Sequence, residues 1–268
     1  MAKLIETEVF GTVLVPSSFS EILGLKNESR NEAVVDAVYM WRGQSDISWP
    51  LHSGAFRKLL KRPNFFCVKD RPTEEAVQFY EKSLLKLATH RGFRRVNNRE
   101  LSDLELLARL QHHGAATRLL DATRNLLVAL YFAVRENPDK NGMLFGWHSD
   151  FLGGYEGEIT EESYDEAFGD LGDYNHPITF EPTEVSPRIA SQHSQFLYSK
   201  ISDGNYGSVC VDPDKGASIA IAISPKVKKE ALKLLVNLFN IRHYTLFPDF
   251  DGFSSANSIF SPEDMRRW

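Results

Sequence analysis

Along residues 73–90, TEEAVQFYEKSLLKLATH, the apolar positions Val77, Tyr80, Leu84 and Leu87 return at steps of three and four. That spacing puts them on one face and predicts an amphipathic helix, with Thr73 as its N-cap. Residues 100–113, ELSDLELLARLQHH, predict a second helix. Ser102 followed three residues later by Glu105 is a capping box, and Gly114 is the stop. Residues 125–136, NLLVALYFAVRE, are apolar nearly all round, which predicts a buried helix. Three short runs have strand character: TRLLDAT at 117–123, GMLFGWH at 142–148 and ASIAIAI at 217–223, the last leading into a helix over 225–240. Residues 32–41, EAVVDAVYMW, suit a strand, or a short helix leading into one. Helices and strands interleave without a strict βαβ rhythm, which predicts an α+β fold. No Gly or Pro cluster divides the chain, so residues 1–268 are expected to form a single domain.

The composition narrows the setting. With 42% hydrophobic residues the chain can bury a sizeable core. No apolar run approaches the roughly 20 residues of a membrane helix, and the start, MAKLIETEVFG, lacks a signal-peptide layout. Cys67 and Cys210 form no CxxC pair, so neither a disulfide framework nor a zinc site is expected. These features predict a reduced, cytoplasmic protein without a membrane partner. The net charge of −5 argues against whole-molecule attraction to nucleic acid. The charge is unevenly spread, however. Residues 86–99 hold Lys86, Arg91, Arg94, Arg95 and Arg99 with no acid, whereas residues 156–184 hold ten acids and no Lys or Arg. A solvated loop accounts for either run. The functional alternatives are a phosphate-contacting patch at Arg91, Arg94 and Arg95, and an acidic segment that faces a partner.

The common phosphate loops, the GxSxG elbow and the HExxH helix are all absent. The most unusual chemistry lies in QHHGAATRLLDAT, residues 111–123. Asp121 or Thr123 could cap the helix that starts near Asn125, and Arg118 could pair with Asp121. Neither role accounts for the two histidines. Adjacent helical residues diverge by about 100°, so His112 and His113 do not make a metal pair; one is expected to pack and the other to face a cleft. A second cluster, SPRIASQHSQFLYS at 186–199, sets Arg188, Gln192, His193 and Gln195 beside Phe196 and Tyr198. It suits recognition of a planar amide or base, or else an ordinary amphipathic strand or loop. In LFPDFDG, residues 246–252, Asp249 and Asp251 read as a turn, with a magnesium pair as the weaker alternative.

The stretch WRGQSDISWPLHSGAFR, residues 41–57, places Arg42 and Gly43 at the end of an apolar run. A guanidinium at a strand end offers a fork to phosphate or ribose oxygens, and a glycine lets a ligand approach the backbone. Arg42 could instead be a structural partner of Asp46 or Asp121. WRGQ with the following W-x-L-x-S-x-x-F-R resembles the signature of the FRG domain. QHHGAATRLLDATRNLLVALYFA (111–133), PRIASQHSQF (187–196) and the tail IRHYTLFPDFDG resemble further motifs of that family, so the resemblance spans roughly 16–257.

The layout is similar to that of ADP-ribosyltransferases, which implies a mixed-sheet core with surrounding helices and NAD as substrate. By that resemblance Arg42, Gly43, Gln44, His113, Arg118 and Arg188 bind the cofactor, and Asp121, Thr123 and Gln192 carry the chemistry. Gln192 departs from the glutamate those enzymes use, so Asp121 or Glu184 would have to supply the negative charge; Ser194 replaces a family glycine. The implied function is a toxin that modifies nucleic acid, with RNA favoured, in anti-phage defence, neutralised by an antitoxin protein. The alternatives are a non-catalytic module binding NAD, a nucleotide or RNA, and an NAD glycohydrolase.

Overall fold

A computed structural model gives the fold. It describes residues 3–25, 39–61, 67–68, 71–149, 152–155, 163–169, 171, 174, 176–183, 186–211 and 218–258. Glu184, much of the acidic segment, and the part of 32–41 before Tyr39 lie outside the described residues. The strands are β1 (Lys3–Thr7), β2 (Gly11–Val15), β3 (Tyr39–Gln44), β4 (Cys67–Val68), β5 (Arg71–Pro72), β6 (Arg95–Val96), β7 (Arg99–Glu100), β8 (Leu120–Thr123), β9 (Gly142–His148), β10 (Gly153–Tyr155), β11 (Ile178–Phe180), β12 (Ser194–Tyr198) and β13 (Ser218–Ile223). The helices are α1 (Phe19–Leu25), α2 (Gly54–Leu60), α3 (Glu74–His90), α4 (Asp103–His112), α5 (Leu126–Val134), α6 (Tyr164–Gly169), α7 (Pro187–Gln192), α8 (Pro225–Asn237), α9 (His243–Leu246) and α10 (Phe250–Ala256).

Nine strands form one sheet in the order β1-β2-β13-β9-β3-β8-β12-β11-β10. It is mixed: β2/β13 and β10/β11 are parallel, and the other neighbours are antiparallel. The fold is therefore α+β, as the interleaved pattern predicts. Alternation along β3 and β9 divides the core. Trp41 and Leu144 pack with Val128, Leu130 and Ile223 under α5 and α8. Met40, Met143, Phe145 and Trp147 meet Leu197 on the other face. A further cluster joins Leu104 and Leu107 of α4 to Phe168, Phe196 and Tyr198.

The predicted caps form. Thr73 accepts from the Ala76 amide at 3.3 Å. Ser102 and Glu105 complete the capping box, and Gly114, with φ +82°, follows the end of α4. The strand expected over 117–123 begins only at Leu120, because Arg118 turns inward. Its guanidinium is 1% exposed. Nε donates to Glu81 at 2.7 Å, Nη1 to Glu74 at 2.8 Å and Nη2 to the Tyr164 hydroxyl at 2.7 Å, and the group lies 4.4 Å from the Phe168 centroid. Burial alone would lower its pKa; Glu81, Tyr164 and Glu74 outweigh that and hold it charged. This overturns both the Arg118–Asp121 pairing and the assignment of Arg118 to cofactor binding: every side of the group is committed inside the protein.

Removing one partner of such a buried pair leaves a charge uncompensated. Glu81→Ala is expected to cost about 3–5 kcal/mol or to prevent folding. The urea midpoint measures it, and a loss under about 1 kcal/mol would contradict the account.

Candidate functional site

β3 pairs with β9 over all six of its residues, from Tyr39↔His148 to Gln44↔Met143. β8 pairs with β12 over four, from Ser194↔Thr123 to Leu197↔Leu120. Between β3 and β8 only one register pair forms, Trp41↔Thr123. The ladder stops there, and the Asp121 carbonyl accepts instead from Arg42 Nη1 at 2.7 Å. A side chain thus replaces a backbone donor, and the sheet opens beside it.

The opening is a cleft of about 280 Å³. Trp41, Val128, Ala129, Phe132 and Phe247 give it apolar walls, and Arg42, Gln111, His112, Asp121, Gln192 and Ser194 give it polar ones. Three distant segments, near residues 42, 121 and 192, therefore meet in one place. Of the residues expected at a site, Arg42, Gly43, Asp121, Thr123, Arg188 and Gln192 line the cleft, and Gln44, His113 and Arg118 do not.

Among the described residues Arg42 has a single hydrogen bond, and its Nε is buried without a partner there. Among the described residues no carboxylate pairs with it. Burial lowers its pKa, the Asp121 charge opposes the shift, and Arg57 adds to it. Asp121 itself is exposed, and Gln111 Nε2 lies 3.3 Å from its Oδ2 and 3.4 Å from its Oδ1. The alternative pairing of Arg42 with Asp46 is excluded, since Asp46 is held by Lys140 and Ser48. Gln192 Nε2 donates to the Leu246 carbonyl at 2.8 Å, and its Oε1 has no hydrogen bond among the described residues.

Several expected roles change. Thr123 is 4% exposed; it donates to the Gln192 carbonyl at 2.7 Å and accepts from the Asn125 amide at 3.0 Å. It is a strut that joins β8 to α7, not a group poised for chemistry. Asn125 caps α5 through Leu127. A Cβ on Gly43 would stand 1.8 Å from the Ala129 carbonyl oxygen, so the glycine is required first by the seat of α5 on β3. Gln44 is buried and donates to the Trp49 carbonyl at 2.6 Å, which fixes the following loop.

The two histidines divide as expected, but in the opposite sense. His112 faces the cleft with Nε2 buried and unpartnered, its ring set edge-on to Phe196 at 5.4 Å. Burial, only partly opposed by Asp121, lowers its pKa, so the imidazole is neutral near pH 7. His113 is exposed, 3.3 Å from Asp251. Both occur in the same quoted motif, and only the path of the helix end decides between them. Phe132 and Phe247 gave no separate signal in the sequence; Phe132 lines the cleft because it lies one turn beyond Val128 and Ala129 on α5.

Arg188 lines the cleft but is committed: Nε and Nη2 bind Asp249, and Nη1 donates to the His112 carbonyl at 2.7 Å. Asp249, its carboxyl lowered chiefly by Arg188, also caps α10 through Gly252, and so is not free to act as a magnesium ligand. In the basic run, Arg94 pairs with Asp103 and Arg99 with Glu105, whereas Arg91 and Arg95 are exposed. None of these lines the cleft.

Residues 37–142 match the family model of the FRG domain, less than half of the chain. The match includes Arg42, His112 and Asp121 and ends before Arg188 and Gln192. No curated protein and no solved structure matches the chain.

A buried guanidinium that no carboxylate contacts is retained at a cost to stability. Arg42→Met removes that cation but leaves the Asp121 carbonyl without its donor, so it is expected to cost about 1–3 kcal/mol at most. Thermal and urea unfolding measure this; a loss above about 3 kcal/mol would make Arg42 a structural residue.

Proposed function

We propose that the cleft binds the nicotinamide ribose end of NAD and that the protein is an ADP-ribosyltransferase. The observation that carries this reading is Arg42, a guanidinium with no carboxylate partner among the described residues, placed in a cleft with the exposed carboxylate of Asp121 and the open amide oxygen of Gln192. A cation of this kind suits the oxygens of a ribose phosphate, since its free donors form charge-assisted hydrogen bonds. The cleft, at about 280 Å³, lies at the small end of ligand pockets, which span roughly 300–1,000 Å³. It fits one nucleoside with its phosphate, and leaves the rest of a dinucleotide along the surface.

In this reading Phe132, Phe247 and Trp41 enclose the pyridine ring, and Gln192 Oε1 accepts from a ribose hydroxyl. The bond between C1′ and the ring nitrogen breaks with its electron pair, and nicotinamide leaves neutral. Asp121 supplies the negative charge that offsets the positive character at C1′. The acceptor attacks C1′ and loses one proton, for which the neutral His112 Nε2 is available.

The acceptor we propose is RNA. Exposed Arg91 and Arg95 stand at the start of the β6–β7 hairpin, which precedes α4, about 15 Å along that helix from the cleft. A strand reaching from hairpin to cleft would cover several nucleotides. A toxin acting in anti-phage defence, held by an antitoxin protein, is the cellular role this chemistry suits. The neutral Gln192 favours a second reading, a module that binds NAD without turning it over.

Incubation with labelled NAD, with RNA, with DNA and without acceptor, tests the choice. Label on RNA is expected, and added salt should suppress it steeply as phosphate contacts weaken. Free ADP-ribose alone would mean hydrolysis, and NAD binding without product would favour the second reading. Asp121→Asn is expected to slow transfer about 10²–10³-fold with the thermal midpoint unchanged; full activity would remove Asp121 from the chemistry.

A further inference from the structure

Around Phe56 of α2 the structure gathers a second group of basic side chains, His52, Arg57 and Arg71. The His52 ring stacks on Phe56, with centroids 4.6 Å apart and planes at 26°. The Arg71 guanidinium lies 5.7 Å from the same ring centroid. His52 Nδ1 and Arg71 Nε are both buried without a hydrogen-bond partner. Arg57, the residue after Phe56, is exposed. Its charge acts on His52 and also on Arg42 in the cleft.

No acid neutralises this group among the described residues. Glu74, three residues beyond Arg71, is taken by Arg118 and by the amide of Ile201. Lys58 is turned toward the Tyr80 hydroxyl at 3.2 Å. Arg71 makes one long bond, Nη2 to the Ser202 carbonyl at 3.4 Å. The Arg57 and Arg71 guanidiniums repel each other, Arg71 Nε and His52 Nδ1 have no partner, and a polyanion lying across them would relieve the repulsion. The protein accepts a further penalty here: His52 has its pKa lowered to about 4, by burial first and then by Arg71 and Arg57.

We propose that Arg57, His52 and Arg71 form an anion subsite that receives a diphosphate group, continuing from the ribose held at Arg42. This rests on the NAD reading for the identity of the ligand, but the subsite itself is a matter of phosphate chemistry. The Arg57 and Arg71 guanidiniums would take the oxygens directly, and a bound diphosphate would favour the protonated His52. Its pKa should then rise from about 4 toward the ordinary 6.5.

Inorganic pyrophosphate and ADP-ribose are the probes, and the His52 imidazole resonances are the readout, assigned with His52→Gln. Both probes should raise the His52 pKa, while adenosine should not. Arg57→Gln changes an exposed side chain, so its fold is expected to hold; it should weaken pyrophosphate binding, and raise the KM for NAD, about tenfold each. A His52 pKa that pyrophosphate leaves at about 4, or an Arg57→Gln variant that binds pyrophosphate as the parent does, would overturn the subsite. Pyrophosphate binding that depends on Arg57, without any turnover of NAD, supports the subsite and sinks the transferase reading. NAD turnover with His52 unmoved and KM unchanged does the reverse.

Discussion

One hydrogen bond, from Arg42 to the carbonyl of Asp121, holds the site together. β3 and β8 are neighbours in the sheet, yet they share only the pair Trp41↔Thr123. A full ladder between them would close the sheet and leave no cleft. A complete break would separate Arg42 from Asp121. The guanidinium spans the gap by taking the place of a backbone amide, which satisfies a carbonyl that would otherwise lack a donor. Thr123 fixes the other side by tying β8 to the end of α7, and so sets Gln192 opposite.

The arginines fall into two classes, and the difference is electrostatic. Arg118 is fully enclosed, with Glu81 and Glu74 against it, and behaves as part of the core. Arg188 is likewise spent, on Asp249 and on the end of α4. Arg42, Arg57 and Arg71 have no acid paired with them among the described residues, and two of the three keep a buried Nε idle. A folded chain keeps unpaired cations close together where something else selects them. Sequence spacing alone treats all five alike.

Much of the local structure could be read along the chain, since caps and periodicity act over three or four residues. The helix from Glu74, the Ser102 capping box and the strands at 142–148 and 218–223 follow from such signals. The helix expected to reach residue 240 stops at Asn237, and Asn240 takes a positive φ of 54°. The segment 186–199, whose pattern suits a strand or loop, is a short helix followed by β12, with His193 in a left-handed turn between them. Long-range choices were beyond local reasoning. Which of His112 and His113 enters the cleft depends on where α4 ends against Phe196. That Arg118 seeks Glu81 depends on a contact across 37 positions. That Gly43 serves α5 depends on a helix that arrives later in the chain.

Residues 42, 121 and 192 converge on one cleft, and the function proposed for that convergence is NAD recognition. A crystal structure of the protein soaked with NAD tests it most directly. The account predicts nicotinamide ribose density against Phe132 and Phe247 in the cleft, with phosphate oxygens at Arg42 and a ribose hydroxyl at Gln192. A dinucleotide bound elsewhere on the surface, or an Arg42 that keeps its single bond to Asp121 with no ligand near it at saturating NAD, would contradict it.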